Sequence, residues 1–262
     1  MSCKLFDLTG KNAVVIGGAG GIGQAVATGL AQAGANVAIA SRKEESLIRA
    51  CKEIKEAAGV ENVRYYTVDA TDEESVAACA KKANEEMGVV EILVCSQGFN
   101  KKFPAEEFPM DIYMQMLQIN VYGVMLCCKH FGQYMIKNGY GKIVNVSSTR
   151  GKIATKGPGN AGYCATKGAV DMLTKQLASE FGPHGITVNA FGPTVTLTPM
   201  MAPVIEQRGG DAYLKSLADA VPMRKTAAPE DVVGTAIFLA SPASDYMTGN
   251  ILYPDGGLTA IG

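Results

Sequence analysis

Tyr163 and Lys167 stand four residues apart in the run Gly162-Tyr163-Cys164-Ala165-Thr166-Lys167. On a helix that spacing puts both side chains on one face, about 6 Å apart along the axis. A free tyrosine titrates near pH ~10, too high to exchange protons readily at neutral pH. A neighbouring ammonium favours the phenolate and brings it into reach. The pair therefore suits proton transfer to and from the oxygen of a carbonyl or an alcohol. A Y-x-x-x-K spacing also describes a plain solvated helix face, so its surroundings decide.

Hydride chemistry at such a pair needs a carrier, and the start of the chain offers a place for one. The apolar run 12–16 leads straight into Gly17-Gly18-Ala19-Gly20-Gly21-Ile22-Gly23 and then a helical pattern. Glycines between a strand and a helix let the backbone turn sharply and approach a pyrophosphate, which then sits at the helix N-terminus. Gly18, Gly20 and Gly23 fit G-x-G-x-x-G, while Gly17, Gly21 and Gly23 fit G-x-x-x-G-x-G. A merely flexible turn is the alternative. At the end of the second apolar run stand Ser41, Arg42 and Lys43, with no acid before Glu44. An acid there would bind a ribose 2′-hydroxyl, whereas a hydroxyl followed by a guanidinium suits a 2′-phosphate. This favours NADP(H), with NAD(H) as the alternative if Arg42 and Lys43 only open a solvated helix.

The elements that must position these groups alternate along the chain. Strands are predicted at 12–16, 36–40, 63–68, 91–95, 142–147, 186–191 and 249–253. Most are continuous apolar runs, as expected of strands covered on both faces. Helices are predicted over 21–33, 43–57, 72–87, 109–138, 162–182 and 229–240. Thr71 and Glu74 have capping-box spacing before the third helix, and Pro229-Glu230-Asp231 opens the last. The pattern predicts one α/β unit over 1–262, a Rossmann-type, doubly wound sheet of about seven parallel strands in three αβα layers. The stretch 194–222, with Pro199, Pro203, Gly209, Gly210 and Pro222, is the irregular part. It reads either as a flap over the site or as a surface excursion.

Composition narrows the function classes. The 24 basic and 25 acidic residues give a net charge of -1, which points to neither nucleic acid nor an anionic membrane as partner. No apolar run approaches the roughly 18 residues of a membrane span, and the first residues lack the layout of a signal peptide; a cytoplasmic protein is expected. The seven cysteines (Cys3, Cys51, Cys79, Cys95, Cys127, Cys128 and Cys164) are scattered and odd in number. That suggests free thiols rather than a disulfide frame. Only His130 and His184 are available to complete a zinc site, so no metal is expected.

Beyond the Tyr–Lys pair, the chain resembles the short-chain dehydrogenase/reductase family over nearly its whole length. Gly17, Gly21 and Gly23 match its glycine spacing, and Val144-Asn145-Val146-Ser147-Ser148 looks like its fifth strand. Asn120, in Gln118-Ile119-Asn120-Val121-Tyr122-Gly123, matches its asparagine, and Gly249-Asn250 with Asp255-Gly256-Gly257 looks like its C-terminus. The resemblance implies a catalytic set of Asn120, Ser148, Tyr163 and Lys167. Ser148 would bond the substrate oxygen, Tyr163 would transfer the proton, Lys167 would tune Tyr163 and bind the nicotinamide ribose, and Asn120 would anchor a water. Ser148 rather than Ser147 follows from alignment with S-S-x-x-G. The implied cofactor contacts are Gly17, Gly21, Ile22, Gly23, Ser41, Arg42, Asp69, Gln97, Gly98, Tyr163, Lys167, Pro193, Thr194 and Thr196. Asp69 would stand beside the adenine, or else serve as a turn residue before Thr71. The resemblance also implies a homotetramer or dimer; the apolar stretches 121–128 and 169–178 are candidate interface segments, with core packing as the alternative.

Departures from the family concern the rim of the site. Ile16 replaces a threonine, Cys95-Ser96-Gln97-Gly98 stands for N-N-A-G, and Pro193-Thr194 stands for P-G. The Pro-Thr pair resembles reductases of sugars and polyols. The segment from Thr149 to Gly162 carries Arg150, Lys152, Lys156 and Asn160, and Lys101 and Lys102 follow the fourth strand. A pocket edge made of these suits hydroxyls, a carboxylate or a phosphate; a solvated loop is the alternative. Arg150, Lys152 and Asn160 are the candidate substrate contacts, and a sugar, polyol or sugar acid is the expected substrate. A 3-oxoacyl thioester reductase is the alternative enzyme, and an NADP(H)-sensing protein without turnover the alternative of another class.

Overall fold

The computed structural model of the chain describes residues 4–198 and 201–261. Cys3, Pro199 and the side chain of Pro203 lie outside the described residues. Seven strands form one sheet: β1 (Asn12–Ile16), β2 (Asn36–Ser41), β3 (Val63–Thr67), β4 (Ile92–Cys95), β5 (Gly141–Val146), β6 (Ile186–Phe191) and β7 (Ile251–Leu252). Their order is β3-β2-β1-β4-β5-β6-β7, and every pairing is parallel. Chain order reverses between β1 and β4, the switch point where open α/β sheets hold ligands beyond the strands' carboxyl ends.

Helices cover both faces. On one lie α1 (Gly21–Gln32), α2 (Glu44–Ala58) and α9 (Val233–Ala240). Val15, Leu30, Ile39, Leu47, Val94 and Leu239 are among the residues of the core between them and the sheet. On the other lie α3 (Glu73–Met87), α4 (Met110–Leu117), α5 (Gly123–Asn138) and α6 (Ala161–Phe181). Val14, Ile16, Leu93, Phe131, Ile143 and Val188 belong to that second core. A sheet covered on both faces explains why β4, β5 and β6 are buried at every position, without alternation.

Three local expectations are revised. The cap of α3 is Asp72, whose carboxylate accepts from the amides of Glu74 and Ser75, and not Thr71. The Thr71 hydroxyl is already committed to Asp69 Oδ1 at 2.7 Å. The helix expected over 109–138 is broken by a π-helical turn at Gln118–Tyr122, which holds Asn120. The irregular stretch 194–222 contains two short helices, α7 (Ala202–Gln207) and α8 (Asp211–Asp219). At the last helix the expected acids do act: Asp231 Oδ2 accepts from the Ala228 amide at 2.8 Å. No helix among the described residues is long and apolar enough to cross a membrane.

Candidate active site

Helix α6 brings the first pair together as its spacing predicts. The Lys167 ammonium lies 5.7 Å from the centre of the Tyr163 ring. It donates to the Val146 carbonyl at 2.8 Å, which ties α6 to the end of β5. Burial lowers the Lys167 pKa to about 8, with Asp171 pulling it back upward. Burial likewise pushes Tyr163 up to about 12, opposed by the Ser148 hydroxyl at the phenol. Both shifts follow from removing a charged form from water. In the free protein, burial thus keeps the proton on Tyr163, ready as a donor, and weakens the charge of the lysine beside it.

The two serines at the end of β5 have separate employment. Ser147 donates to the Asp171 carboxylate. Ser148 interacts with the Tyr163 phenol and accepts from the Arg150 amide at 3.2 Å. Of the two, Ser148 is therefore the one beside Tyr163, as the alignment implied.

Asn120 is wholly buried within the π turn. Its Oδ1 accepts from the Phe99 amide at 2.7 Å, and its Nδ2 donates to the Phe99 carbonyl at 2.9 Å and to Thr166 Oγ1 at 3.0 Å. The Thr166 hydroxyl in turn donates to the Tyr163 carbonyl at 2.9 Å. One asparagine thus joins the loop after β4 to the helix of Tyr163. Thr166, adjacent to Lys167, was not singled out by sequence, since a threonine inside a helix ordinarily bonds its own backbone.

The glycine turn has the shape its spacing suggested. Gly17 adopts φ +78°, and a Cβ there would lie 2.7 Å from the Gln97 amide nitrogen. A Cβ on Gly23 would lie 2.3 Å from the Gly17 carbonyl oxygen. Side chains are thus excluded where the turn, the first helix and the loop after β4 meet. Gly20 caps α1 without any side-chain bond, so the first amides of Gly21, Ile22 and Gly23 are open to an anion. A pyrophosphate fits this cradle. Ser41 ends β2, and the exposed Arg42 forms no ion pair among the described residues. Asp69 accepts from the Thr71 amide at 2.9 Å and from its hydroxyl, so its carboxylate organises the turn before α3.

Other candidates lie at the same carboxyl edge of the sheet. Gln97 donates to Cys127 Sγ at 3.8 Å, while its buried Oε1 has no partner. Gly98 lies next to Asn120: its Cβ would be 3.9 Å from Oδ1. The Pro193 carbonyl accepts from the Thr149 amide at 3.1 Å. Thr196 donates to the Thr194 carbonyl and bridges Ala227. Thr194 lines a cavity of about 650 Å³ with Met223, Tyr253 and Asp255, and Tyr163 is not part of its lining. Thr198, which sequence gave no reason to select, stands 3.1 Å from where a Cβ on Gly21 would be. The start of the 194–222 stretch therefore meets the glycine turn at Gly21.

The three substrate candidates separate. Arg150 is half-buried near Tyr163 and donates to the Ala154 carbonyl at 3.0 Å. Lys152 lies over the Tyr253 ring at 4.9 Å, and Asn160 donates to Thr155 Oγ1 at 3.0 Å. Lys102 joins Arg150: burial first, then the charges of Arg208 and Arg150, lower its pKa. Arg208, just after α7, adds a third cation that sequence did not select.

Comparisons with known proteins agree with this fold. Residues 17–259 match a family model described as enoyl-(acyl carrier protein) reductase. Gluconate 5-dehydrogenase of Gluconobacter oxydans (strain 621H) is 35% identical over 255 residues, covering 97% of each chain. Galactitol 2-dehydrogenase (L-tagatose-forming) of Cereibacter sphaeroides is also 35% identical over 255 residues, again covering 97% of each. Among solved structures, a gluconate 5-dehydrogenase from Burkholderia cenocepacia J2315 in complex with NADP and tartrate superposes with a TM-score of 0.91 at 32% identity, covering 98% of both chains.

Proposed function

Because the chain belongs to the short-chain dehydrogenase/reductase family of NAD(P)-dependent oxidoreductases acting on CH–OH groups, we propose that it interconverts a secondary alcohol and a carbonyl of a sugar, polyol or sugar acid, with NADP(H) as the preferred cofactor. The observation that carries the reading is the convergence of Ser148, Tyr163 and Lys167 at the carboxyl edge of the sheet. When bound, the nicotinamide supplies the hydride, and the protein supplies orientation and proton transfer. Gly17, Gly21, Ile22 and Gly23 would hold the pyrophosphate, and Ser41 and Arg42 the 2′-phosphate. Asp69 would border the adenine. Gln97, Gly98, Pro193, Thr194 and Thr196 would line the nicotinamide half.

In reduction, Tyr163 gives its phenolic proton to the carbonyl oxygen, and in oxidation it takes that proton back. Ser148 donates to the same oxygen, where negative charge builds as hydride arrives at carbon. Lys167, held by Val146, steadies the phenolate that Tyr163 becomes. Both amide hydrogens of Asn120 are committed within the protein, so its hold on a water is through oxygen. The stretch 194–222 acts as a substrate flap hung from the glycine turn.

Lys102, Arg150 and Arg208 favour a substrate carrying a carboxylate or many hydroxyls over a simple ketone. The relatives' names point the same way. Exposed Tyr122, Met125 and Met172 support assembly into a homotetramer or dimer.

The test is a fluorescence titration with NADPH and NADH, followed by a kinetic panel of gluconate, galactitol, simple ketones and acetoacetyl-CoA. Tighter NADPH binding, weakened selectively by Arg42→Ala, and the highest kcat/KM on a polyol or sugar acid are expected. Preference for NADH would overturn the cofactor choice. Highest kcat/KM on acetoacetyl-CoA would turn the reading to a 3-oxoacyl thioester reductase.

A further inference from the structure

One buried carboxylate stands behind the proton-transfer pair without touching the expected substrate or cofactor. Asp171 lies one helical turn beyond Lys167 on the same face of α6 and is 8% exposed. Three separate segments converge on it. Ser147, at the end of β5, donates to Oδ1. Tyr253, in the segment after β7, donates its hydroxyl to Oδ2 at 3.3 Å. Gly151, in the turn after Ser148, approaches so closely that a Cβ would lie 2.3 Å from Oδ2. Gly151 and the two donors enclose the carboxylate from outside the helix.

We propose that Asp171 is a positioning residue of the active site, whose carboxylate clamps the serine end of β5 and the C-terminal segment to the helix of Tyr163 and Lys167 and sets a negative charge one helical turn from the Lys167 ammonium. The proposal rests on the reading of Tyr163 and Lys167 as the proton-transfer pair.

Two physical consequences follow. Ser147 is covalently next to Ser148, so fixing its hydroxyl on Asp171 fixes how Ser148 faces the phenol. Electrostatically, the charged groups facing Asp171 are Lys167 and Lys175 of its own helix. Ser147 and Tyr253 face it from the other elements, with Lys152 lying over the Tyr253 ring and Asp255 near that phenol. Burial raises the Asp171 pKa, while the two hydroxyl donors and the two lysines draw it down. For Lys167 the signs are reversed: burial drives its pKa to about 8, and the Asp171 charge opposes that fall. Without the charge, Lys167 becomes neutral at lower pH, and Tyr163 loses its adjacent cation sooner.

The test follows Lys167 directly. Protein carrying 13Cε-labelled lysine is titrated by NMR with NADP+ bound, and the Lys167 signal is identified by its loss in Lys167→Arg. In Asp171→Asn the Lys167 titration should move about one pH unit toward acid, the size expected of a unit charge several ångströms away in a partly screened interior. The alkaline limb of kcat/KM for ketose reduction should move with it. If Asp171→Asn fails to fold, Tyr253→Phe and Ser147→Ala provide the reading. Each removes a donor, so Asp171 should protonate at higher pH and the acid-side inflection of the Lys167 signal should rise. A Lys167 titration unmoved in the variants would overturn the proposal. A Tyr163→Phe enzyme with unchanged kcat would instead overturn the proton-transfer reading, and the proposal with it, whichever way the NMR titration fell.

Discussion

At the scale of single residues, the site depends on what each side chain is tied to. Asn120 commits both amide hydrogens, and one lone pair of its oxygen, to Phe99 and Thr166. Asn120→Ala should therefore leave buried partners unsatisfied at a cost of about 1–3 kcal/mol. Thermal unfolding should show a drop of several degrees, and kcat should fall along with it. An unchanged Tm would mean that water replaces the amide. Lys102 and Arg150 make an opposite kind of prediction, since their charges oppose one another in the free protein. Arg150→Ala should raise KM for a sugar acid by about tenfold or more, the loss of a charge-assisted bond, and change KM for a neutral polyol far less. Equal effects on both would show that Arg150 acts by packing alone. The Tyr163–Lys167 pair was legible by its spacing once the glycine turn stood beside it, the serine pair by family resemblance, and Arg150 only as one basic residue of the segment that follows. Asp171 was not: an acid four residues after a lysine reads as an ordinary helix-surface pair, and only the fold reveals Tyr253 and Gly151 against it.

At the scale of elements, the glycine turn is the most constrained joint. Gly23→Ala would press a methyl against the Gly17 carbonyl. The turn must open, at a cost of about 1–3 kcal/mol of overpacking. NADPH affinity should fall at least tenfold while far-UV circular dichroism stays native, and retained affinity would place the pyrophosphate elsewhere. Apolar runs disclosed β1 and β6 with their full bounds because both faces of those strands are covered. The strand expected over 249–253 shrinks to Ile251–Leu252 because it pairs only with Phe191 and Ala190 at the sheet edge. The π turn around Asn120 was hidden, since one extra residue per turn leaves no mark in hydrophobic periodicity. The helices α7 and α8 were hidden for a related reason: short segments flanked by Pro and Gly read as loop.

At the scale of the whole molecule, parallel pairing throughout places the carboxyl ends of all seven strands along one edge, and the candidate cofactor and catalytic groups gather at that edge. Binding a cofactor there should stabilise the fold. At a concentration about 100 times Kd, NADPH should add about 2.7 kcal/mol, a rise in Tm of roughly 5–10 °C for a chain of this size. NADH at equal concentration should give a smaller rise, and Arg42→Ala should erase the difference. Fold class was legible from alternation alone because parallel strands and crossover helices leave different periods in the sequence. Substrate identity was not, because the cations that bear on it come from three loops that only the fold assembles. The central claim, that Tyr163 transfers the proton in a nicotinamide-linked alcohol oxidation, is tested most directly by following NADPH formation at ~340 nm with gluconate or galactitol. Wild-type protein should turn over, and Tyr163→Phe should lose about 10²–10⁴-fold in kcat while binding NADPH as tightly as before. A phenylalanine variant that oxidises the same alcohol at the wild-type rate would contradict the account.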